Sequence, residues 1–308
     1  MLSTVVNVSR ENLIDAVIVA YNGRDALRAC VEPLARMADV NVVVVDNASP
    51  EDPIPAVADL DVTIVRAPRN GGFSYGCNLG VAEGSAPHVL FLNPDASIDA
   101  ASLTALRAAL ADDPGAAVVA PRLLGHDGEL LYSQRRFPRP LSTLGQALFA
   151  HRRFPLASWS DELVRDRAAY EVPGSPDWVS GACMLLRRDA LEAIGGMDEG
   201  FFLYCEDTDV CRRLRNAGWG VRYVPSAAVR HGEGGSAPRS SLLEVHAQSR
   251  LRYARKHLSR RAARLDTAAV ALNAATHALA SVHRLPVARG HARALRSVVL
   301  PGQRTAEL

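Results

Sequence analysis

Residues 16–46 read AVIVAYNGRDALRACVEPLARMADVNVVVVD, and they alternate two kinds of segment. Ala16–Ala20 and Val42–Val45 are unbroken apolar runs bounded by polar residues, the pattern of strands buried on both faces. Between them Leu27, Val31 and Leu34 fall on one side of a helix expected over Asp25–Met37, with Pro33 placed to kink it. Strand, helix and strand in that order form one unit of a parallel α/β sheet.

The alternation continues outward. Val62–Val65 reads as a strand, Phe73–Glu83 as a helix, Val89–Leu92 as a strand, Ser102–Asp112 as an Ala/Leu-rich helix and Ala116–Ala120 as another buried strand. The expected fold is α/β, a mostly parallel sheet flanked by helices. Ligands on such sheets bind beyond the carboxyl ends of the strands, where Asn22, Asp46 and Asp95 fall. Residues 121–176 are rich in Arg, Pro and aromatics without clear periodicity and read as a long loop or hairpin over the sheet. Trp178–Arg187 reads as one strand, Asp189–Ala193 as a helix, Glu206–Asn216 as a helix and Gly220–Tyr223 as a short strand. From Ser241 onward the chain turns helical and basic, dividing it into a body of residues 1–240 and a C-terminal region of 241–308.

With 308 residues, 48% hydrophobic and 22% charged, the chain can bury a substantial core. No apolar run approaches the roughly 20 residues that span a bilayer. The first 15 residues show no charged segment followed by an apolar one, so no export signal is expected. The spacings of Cys30, Cys77, Cys183, Cys205 and Cys211 match neither zinc pairs nor a disulfide scaffold, which reads as buried, reduced thiols in a cytoplasmic protein. Net charge is +2, yet twelve basic residues stand against Asp266 and Glu307 from Arg250 to the end. Such a tail meets nucleic acid or an anionic membrane, or forms a solvated helix face.

Three acidic positions stand out. Asp46 ends a run of valines, where it either accepts a hydrogen bond from a ribose or base or closes the strand as an Asx turn. Asp95 ends VLFLNPD and could hold Mg²⁺ or Mn²⁺, although Asn-Pro-Asp is also sound turn chemistry. Glu206, Asp207 and Asp209 open a helix directly after FFLYC, where the helix dipole favours an ionised carboxylate able to act as a base. Arg69-Asn70-Gly71-Gly72-Phe73 allows close backbone approach by an anion such as diphosphate. No GxGxxG follows a strand, and no P-loop pattern occurs. His231 follows a strand near Val229 and precedes a Gly-rich run, Gly232 to Gly235.

Together these segments resemble the family-2 inverting glycosyltransferases of the GT-A fold, in particular the rhamnosyltransferase-like branch. The resemblance rests on VIVAYNG (17–23), VVVVDNAS (42–49), RNGGFSYGCNLG (69–80), FLNPD (91–95), the long block 178–219 and VRH (229–231). It implies that Tyr21, Asn22, Asp46, Asn70 and Asn78 contact the donor nucleotide, with Gly71, Gly72 and Asn93 lining the same site. It implies Asp95 as the metal aspartate, joined by His231, Asp207 as the base, and Trp178, Gly181 and Glu206 at the sugar and acceptor pocket. Asn93 stands where a full DxD motif has its first aspartate, so one fewer charge faces the ion. This N-P-D form points towards a deoxythymidine diphosphate 6-deoxyhexose as donor.

Further implied are a glycan or lipid-linked acceptor of the cell envelope, with residues 121–176 setting acceptor choice, and no nucleic-acid partner. The oligomeric state is left open. Seven basic and no acidic residues between Arg250 and Arg264, with Leu251, Ala254, Leu258 and Leu265, suggest a basic amphipathic helix on the inner face of an anionic membrane. Two other readings stay open. A sugar-phosphate nucleotidyltransferase would need a Gly-rich, Lys-bearing loop after the first strand, and the chain has one lysine, Lys256. A non-catalytic glycan- or membrane-docking module would not need Asp46, Asp95 and Asp207 together.

Overall fold

The computed structural model describes residues 13–232 and 239–300. Twelve of the N-terminal residues read for an export signal, most of the Gly-rich run after His231 and the last eight residues of the basic tail lie outside that range.

The strands are β1 (Ile14–Ala20), β2 (Val40–Asp46), β3 (Thr63–Arg66), β4 (His88–Leu92), β5 (Ala96–Ile98), β6 (Ala116–Leu124), β7 (Leu130–Leu131), β8 (Gln134–Arg135), β9 (Trp178–Val179), β10 (Cys183–Arg187) and β11 (Gly220–His231). Nine of them form one sheet in the order β3-β2-β1-β4-β10-β6-β11-β5, with β7 beside β6, while β8 and β9 form a separate ribbon. Pairing is parallel through β3-β2-β1-β4 and between β6 and β11. It is antiparallel where β10 sits between β4 and β6, and where β5 and β7 are added. The α/β class therefore holds, with a mixed sheet in place of a mostly parallel one.

The helices are α1 (Arg24–Ala35), α2 (Phe73–Ala82), α3 (Ala100–Asp112), α4 (Pro140–Ala147), α5 (Ala150–Arg153), α6 (Arg188–Ala193), α7 (Glu206–Asn216), α8 (Arg239–His257), α9 (Arg260–Ala280) and α10 (Leu285–Val299). The apolar runs are continuous because both sheet faces are covered. Ile14, Ile18, Val42 and Val44 pack with Leu27 and Leu34 of α1 and Leu106 of α3. Val17, Val19, Val43 and Val45 pack on the other face with Cys77 of α2 and Val210 and Leu214 of α7. Each such fully buried side chain contributes roughly 1.5–3 kcal/mol. All five cysteines are free and buried.

Three stretches differ from expectation, and the first is the short strand expected over Gly220–Tyr223, which is the 12-residue β11 running on to His231. Residues 121–176 hold the end of β6, a hairpin to β7, then β8, α4 and α5. The single strand expected over Trp178–Arg187 is two, β9 and β10, lying in different sheets and separated by Ser180–Ala182.

The C-terminal region packs on the body. Tyr253 of α8 is buried in the core that contains α7, and Ser249 donates to the Leu203 carbonyl (2.7 Å). The buried Arg250 pairs with Glu162 (2.7 Å) and Asp266 (3.1 Å) and donates to Thr143 (2.6 Å). Lys256 reaches Asp198 (2.6 Å) and Asp209 (2.7 Å), and Arg252 reaches Asp198 (2.9 Å). The basic amphipathic helix expected over Arg250–Arg264 is therefore not formed. The chain breaks at Leu258–Ser259, and the Ser259 hydroxyl caps α9 through the Ala262 amide (3.3 Å). Leu251 is buried against α9 and α10, beside Val270, Ala274, Ala294 and Val298, and Ala254 is fully buried, while Glu162, Asp198 and Asp209 of the body supply carboxylates for the basic neighbours.

Candidate active site

The valine run of β2 delivers Asp46 and Asn47 to the carboxyl edge of the sheet, both buried. Asp46 accepts from the Ser49 amide (3.0 Å), three residues on, which closes the turn after the strand, and from Arg66 (3.3 Å). Asn22, at a left-handed φ of 61°, donates its amide to Ser49 Oγ (2.9 Å) and accepts from the Glu51 amide (3.2 Å), so it closes the same loop beside Tyr21.

Asn47, which the sequence reading quoted without a role, joins this edge to the glycine turn. Its Nδ2 donates to Asn70 Oδ1 (2.9 Å) and the Gly72 carbonyl (3.2 Å), and its Oδ1 accepts from the Gly71 amide (3.3 Å). Gly72 sits at φ 86°, and a Cβ there would strike the backbone of Phe202. Phe73 N donates to the Phe202 carbonyl (2.8 Å), tying the turn to the segment that leads into α7. Gly72→Ala is expected to cost more than about 2 kcal/mol, because it adds backbone strain to a collision with fixed backbone. Urea unfolding measures this loss, and an unchanged midpoint would refute the tight approach.

Asn78 stands apart. Its amide bonds the Met197 carbonyl (3.0 Å), Glu199 (2.9 Å) and the Met197 amide (2.9 Å), so it holds α2 to the 197–199 loop instead of reaching the edge.

Antiparallel pairing of β5 with β11 sets His231 opposite Ala96, next to Asp95. His231 Nε2 lies 3.2 Å from Asp95 Oδ1 and 3.1 Å from Asn93 Nδ2. One carboxylate, one imidazole and one amide thus converge. Among the described residues no group of three or more His, Cys, Asp or Glu side chains is placed to hold a metal ion. The donor set suits Mn²⁺ or Mg²⁺ that takes its remaining oxygens from a substrate diphosphate.

The break between β9 and β10 links Asp207 to this cluster through two backbone amides. Asn93 N donates to the Ala182 carbonyl (3.0 Å), and one residue earlier Gly181 N donates to Asp207 Oδ2 (3.1 Å). Asp207 Oδ1 accepts from the Thr208 amide (2.7 Å). Trp178 is buried, donates to the Arg136 carbonyl (3.0 Å) and carries the Arg135 guanidinium 5.2 Å above its ring. Tyr204 and Cys205, at φ 69° and 63°, turn the chain sharply into α7. Two successive non-glycine residues in that region store strain of the kind found at functional sites.

Burial pushes the Asp207 carboxyl up, opposed by its bonds from Gly181 and Thr208 and by the charge of Arg135. Burial first, and the neighbouring Asp207 second, push Glu206 well above the usual glutamate range, and its Oε2 has no hydrogen-bond partner. Burial thus works against both carboxyls carrying charge together, and of the two Asp207 has the bonds from Gly181 and Thr208 that favour its ionised form.

Below the ordinary glutamate range, folded and unfolded chains both carry the Glu206 proton. As pH rises only the unfolded chain releases it freely, so native stability falls. Glu206→Gln is thus expected to raise the melting temperature at about pH 8, with the gain vanishing towards about pH 4. Equal melting of both proteins at each pH would show a solvated Glu206.

The mixed sheet, with its Asp/His/Asn cluster and the half-buried Asp207, has the fold of GT-A glycosyltransferases. A family model described as "Glycosyltransferase like family 2" matches residues 12–255, and the chain belongs to that family. The N-acetylglucosaminyl-diphospho-decaprenol L-rhamnosyltransferase of Mycobacterium tuberculosis (strain CDC 1551 / Oshkosh) is 31% identical over 265 residues, covering 80% of this chain and 85% of that protein. The low-salt glycan biosynthesis hexosyltransferase Agl10 of Haloferax volcanii is 26% identical over 207 residues, 66% of this chain and 61% of that protein. Among solved structures, a Pyrobaculum calidifontis mannosyltransferase in complex with GDP-Man and Mn²⁺ has the same fold (TM-score 0.58, 15% identity, 94% of this chain and 88% of that one).

Arg135 and Asn47 were not legible as site residues. Arg135 lies on a two-residue strand inside the unreadable segment. Asn47 adjoins Asp46, and the signal available was its pairing with Asn70 in the second loop.

Proposed function

We propose that the protein transfers a 6-deoxyhexose, rhamnose, from a nucleoside diphosphate donor to a hydroxyl of a lipid-diphosphate-linked glycan, with inversion. The observation that carries this reading is the backbone stitching of three elements. Asn93 bonds Ala182, Gly181 bonds Asp207, and Phe73 bonds Phe202, so donor turn, Asp95 cluster and base are held in one frame. The printed activity of the mycobacterial relative supports the choice of sugar and acceptor.

In this mechanism the loop of Tyr21, Asn22 and Asp46 borders the nucleoside, and Asp46 keeps lone pairs beyond the two bonds it makes. Asn70, Gly71 and Gly72 line the diphosphate. Asp95 and His231, with Asn93, would hold Mg²⁺ or Mn²⁺, which supplies charge stabilisation to the leaving diphosphate. Asp207 takes the acceptor hydroxyl proton as that oxygen bonds the anomeric carbon and the carbon–diphosphate bond breaks. Trp178, Gly181 and Glu206 shape the pocket of sugar and acceptor. Positioning and charge stabilisation carry most of the acceleration.

The test is transfer by the purified chain from deoxythymidine, uridine and guanosine diphosphate sugars to an N-acetylglucosaminyl-diphospho-polyprenol. One α- or β-product of inverted configuration from deoxythymidine diphosphate rhamnose is expected. A retained configuration, or transfer of every sugar except rhamnose, would overturn the reading.

A further inference from the structure

Leu141, Leu144 and Leu148 on and just after α4 are spaced by three and four residues, and all are exposed. Leu265, Leu272 and Leu279 repeat every seven residues along α9 and are exposed too, Leu279 by 73%. Leucines at such spacing fall on one side of a helix, the side that α1 buries in the core through Leu27, Val31 and Leu34.

The two stripes belong to neighbouring elements. Thr143 donates to Asp266 (2.6 Å) and Thr276 to the Ala147 carbonyl (2.8 Å), which places α4 along α9. On another side of α4, a Cβ at Gly145 would press on the backbone of Trp159 and Ser160. That segment adds exposed Phe154, Leu156 and Trp159. Scattered apolar side chains on a surface need no explanation, but periodic ones on adjoining elements do.

Exposed guanidinium groups flank these side chains. Arg152 and Arg153 end α5, and Arg261 and Arg264 lie in the first turns of α9, all exposed. The nearby acids Asp161, Glu162 and Asp266 are buried and paired with Arg165 or Arg250. A second copy meeting this face across a two-fold axis would set arginine against arginine. An anionic bilayer meets both demands, with headgroups opposite the guanidinium groups and acyl chains opposite the leucines.

We propose that the leucine stripes of α4 and α9, with the 154–159 segment, are the surface by which this protein docks on an anionic lipid bilayer. The surface keeps Arg261, Arg264 and Leu265 of the stretch that sequence suggested and leaves out its first half, where Arg250, Leu251, Tyr253 and Ala254 are buried. Its purpose rests on the proposed lipid-linked acceptor. The segment between β8, which carries Arg135, and β9, which carries Trp178, includes α4, so acceptor side and bilayer contact share one stretch of chain. Among the described residues no helix is long and apolar enough to cross a membrane, so attachment by this face would be peripheral.

The experiment is co-sedimentation of the full chain with vesicles of phosphatidylcholine alone or mixed with phosphatidylglycerol, at low and high salt. Binding is expected on the mixed vesicles, weakened by salt. Leu148→Glu with Leu272→Glu, and separately Arg152→Glu with Arg261→Glu, should each lower it at least about tenfold with melting temperature and nucleotide-sugar binding unchanged. Equal binding of wild type and both variants overturns the proposal, as does absence of wild-type binding. A wild-type dimer that the leucine variant dissociates, without vesicle binding, assigns the face to a second copy and also overturns it. Vesicle binding by a wild type that takes up no nucleotide-sugar sinks the glycosyl-transfer reading and leaves the docking surface standing.

Discussion

Asp207→Asn is expected to lower the rate of transfer by about 10²–10⁴-fold, the usual worth of a general base, while nucleotide-sugar binding persists. The carboxylate sits at the start of α7 with Oδ2 held by the Gly181 amide and Oδ1 by the Thr208 amide. An asparagine keeps the shape but offers one acceptor oxygen, so its amide group must face one of those two donors. It also cannot take a proton. The raised pKa of Asp207 gives the wild type a second signature. Because the base must be ionised, kcat/KM should fall on the acid side, with its midpoint above the ordinary aspartate range of about 4. A thermal-shift titration with nucleotide-sugar separates lost chemistry from lost folding. Transfer within about tenfold of wild type by Asp207→Asn would remove Asp207 from the base role.

The features that place Asp207 were unequally legible. The valine run of β2 announces its own burial, since a strand covered on both faces has no polar alternation, and this delivers Asp46 to the edge. The helix start at Glu206 was legible from its carboxylates and the arginines of its last turn, and α7 has those bounds. The turn into it was not. Nothing in LYCED requires Tyr204 and Cys205 to adopt positive φ, a conformation imposed by tertiary packing. The split of 178–187 was equally hidden, because apolar residues on both sides of Gly181 read as one strand. In residues 121–176 the ordered pieces are mostly too short to show a period: β8 has two residues and α5 four. The C-terminal charges misled for a related reason. Sequence counts the basic groups but not the carboxylates of Glu162, Asp198 and Asp209 that meet them from the body.

Asp95→Ala is expected to weaken nucleotide-sugar binding at least about tenfold in Mn²⁺, about 1.4 kcal/mol, and to change it little in chelator. Asp95 is the one carboxylate of its cluster, with His231 at 3.2 Å and an amide, Asn93, where a second carboxylate would add charge. Such a set binds a hard divalent ion weakly alone and needs the oxygens of the diphosphate to complete it. Ion and donor should then bind as a pair, each raising the affinity of the other by the same factor. The wild type measures that factor as the ratio of donor Kd in chelator to donor Kd in Mn²⁺, and Asp95→Ala should bring the ratio close to one. Asn93→Asp tests the same logic in the opposite direction, since added charge should strengthen Mn²⁺ binding in the absence of donor. The readout is a calorimetric titration, independent of turnover. If Asp95→Ala binds donor as tightly as wild type in Mn²⁺, Asp95 closes the Asn-Pro-Asp turn and no more, and the diphosphate must be neutralised elsewhere on the edge.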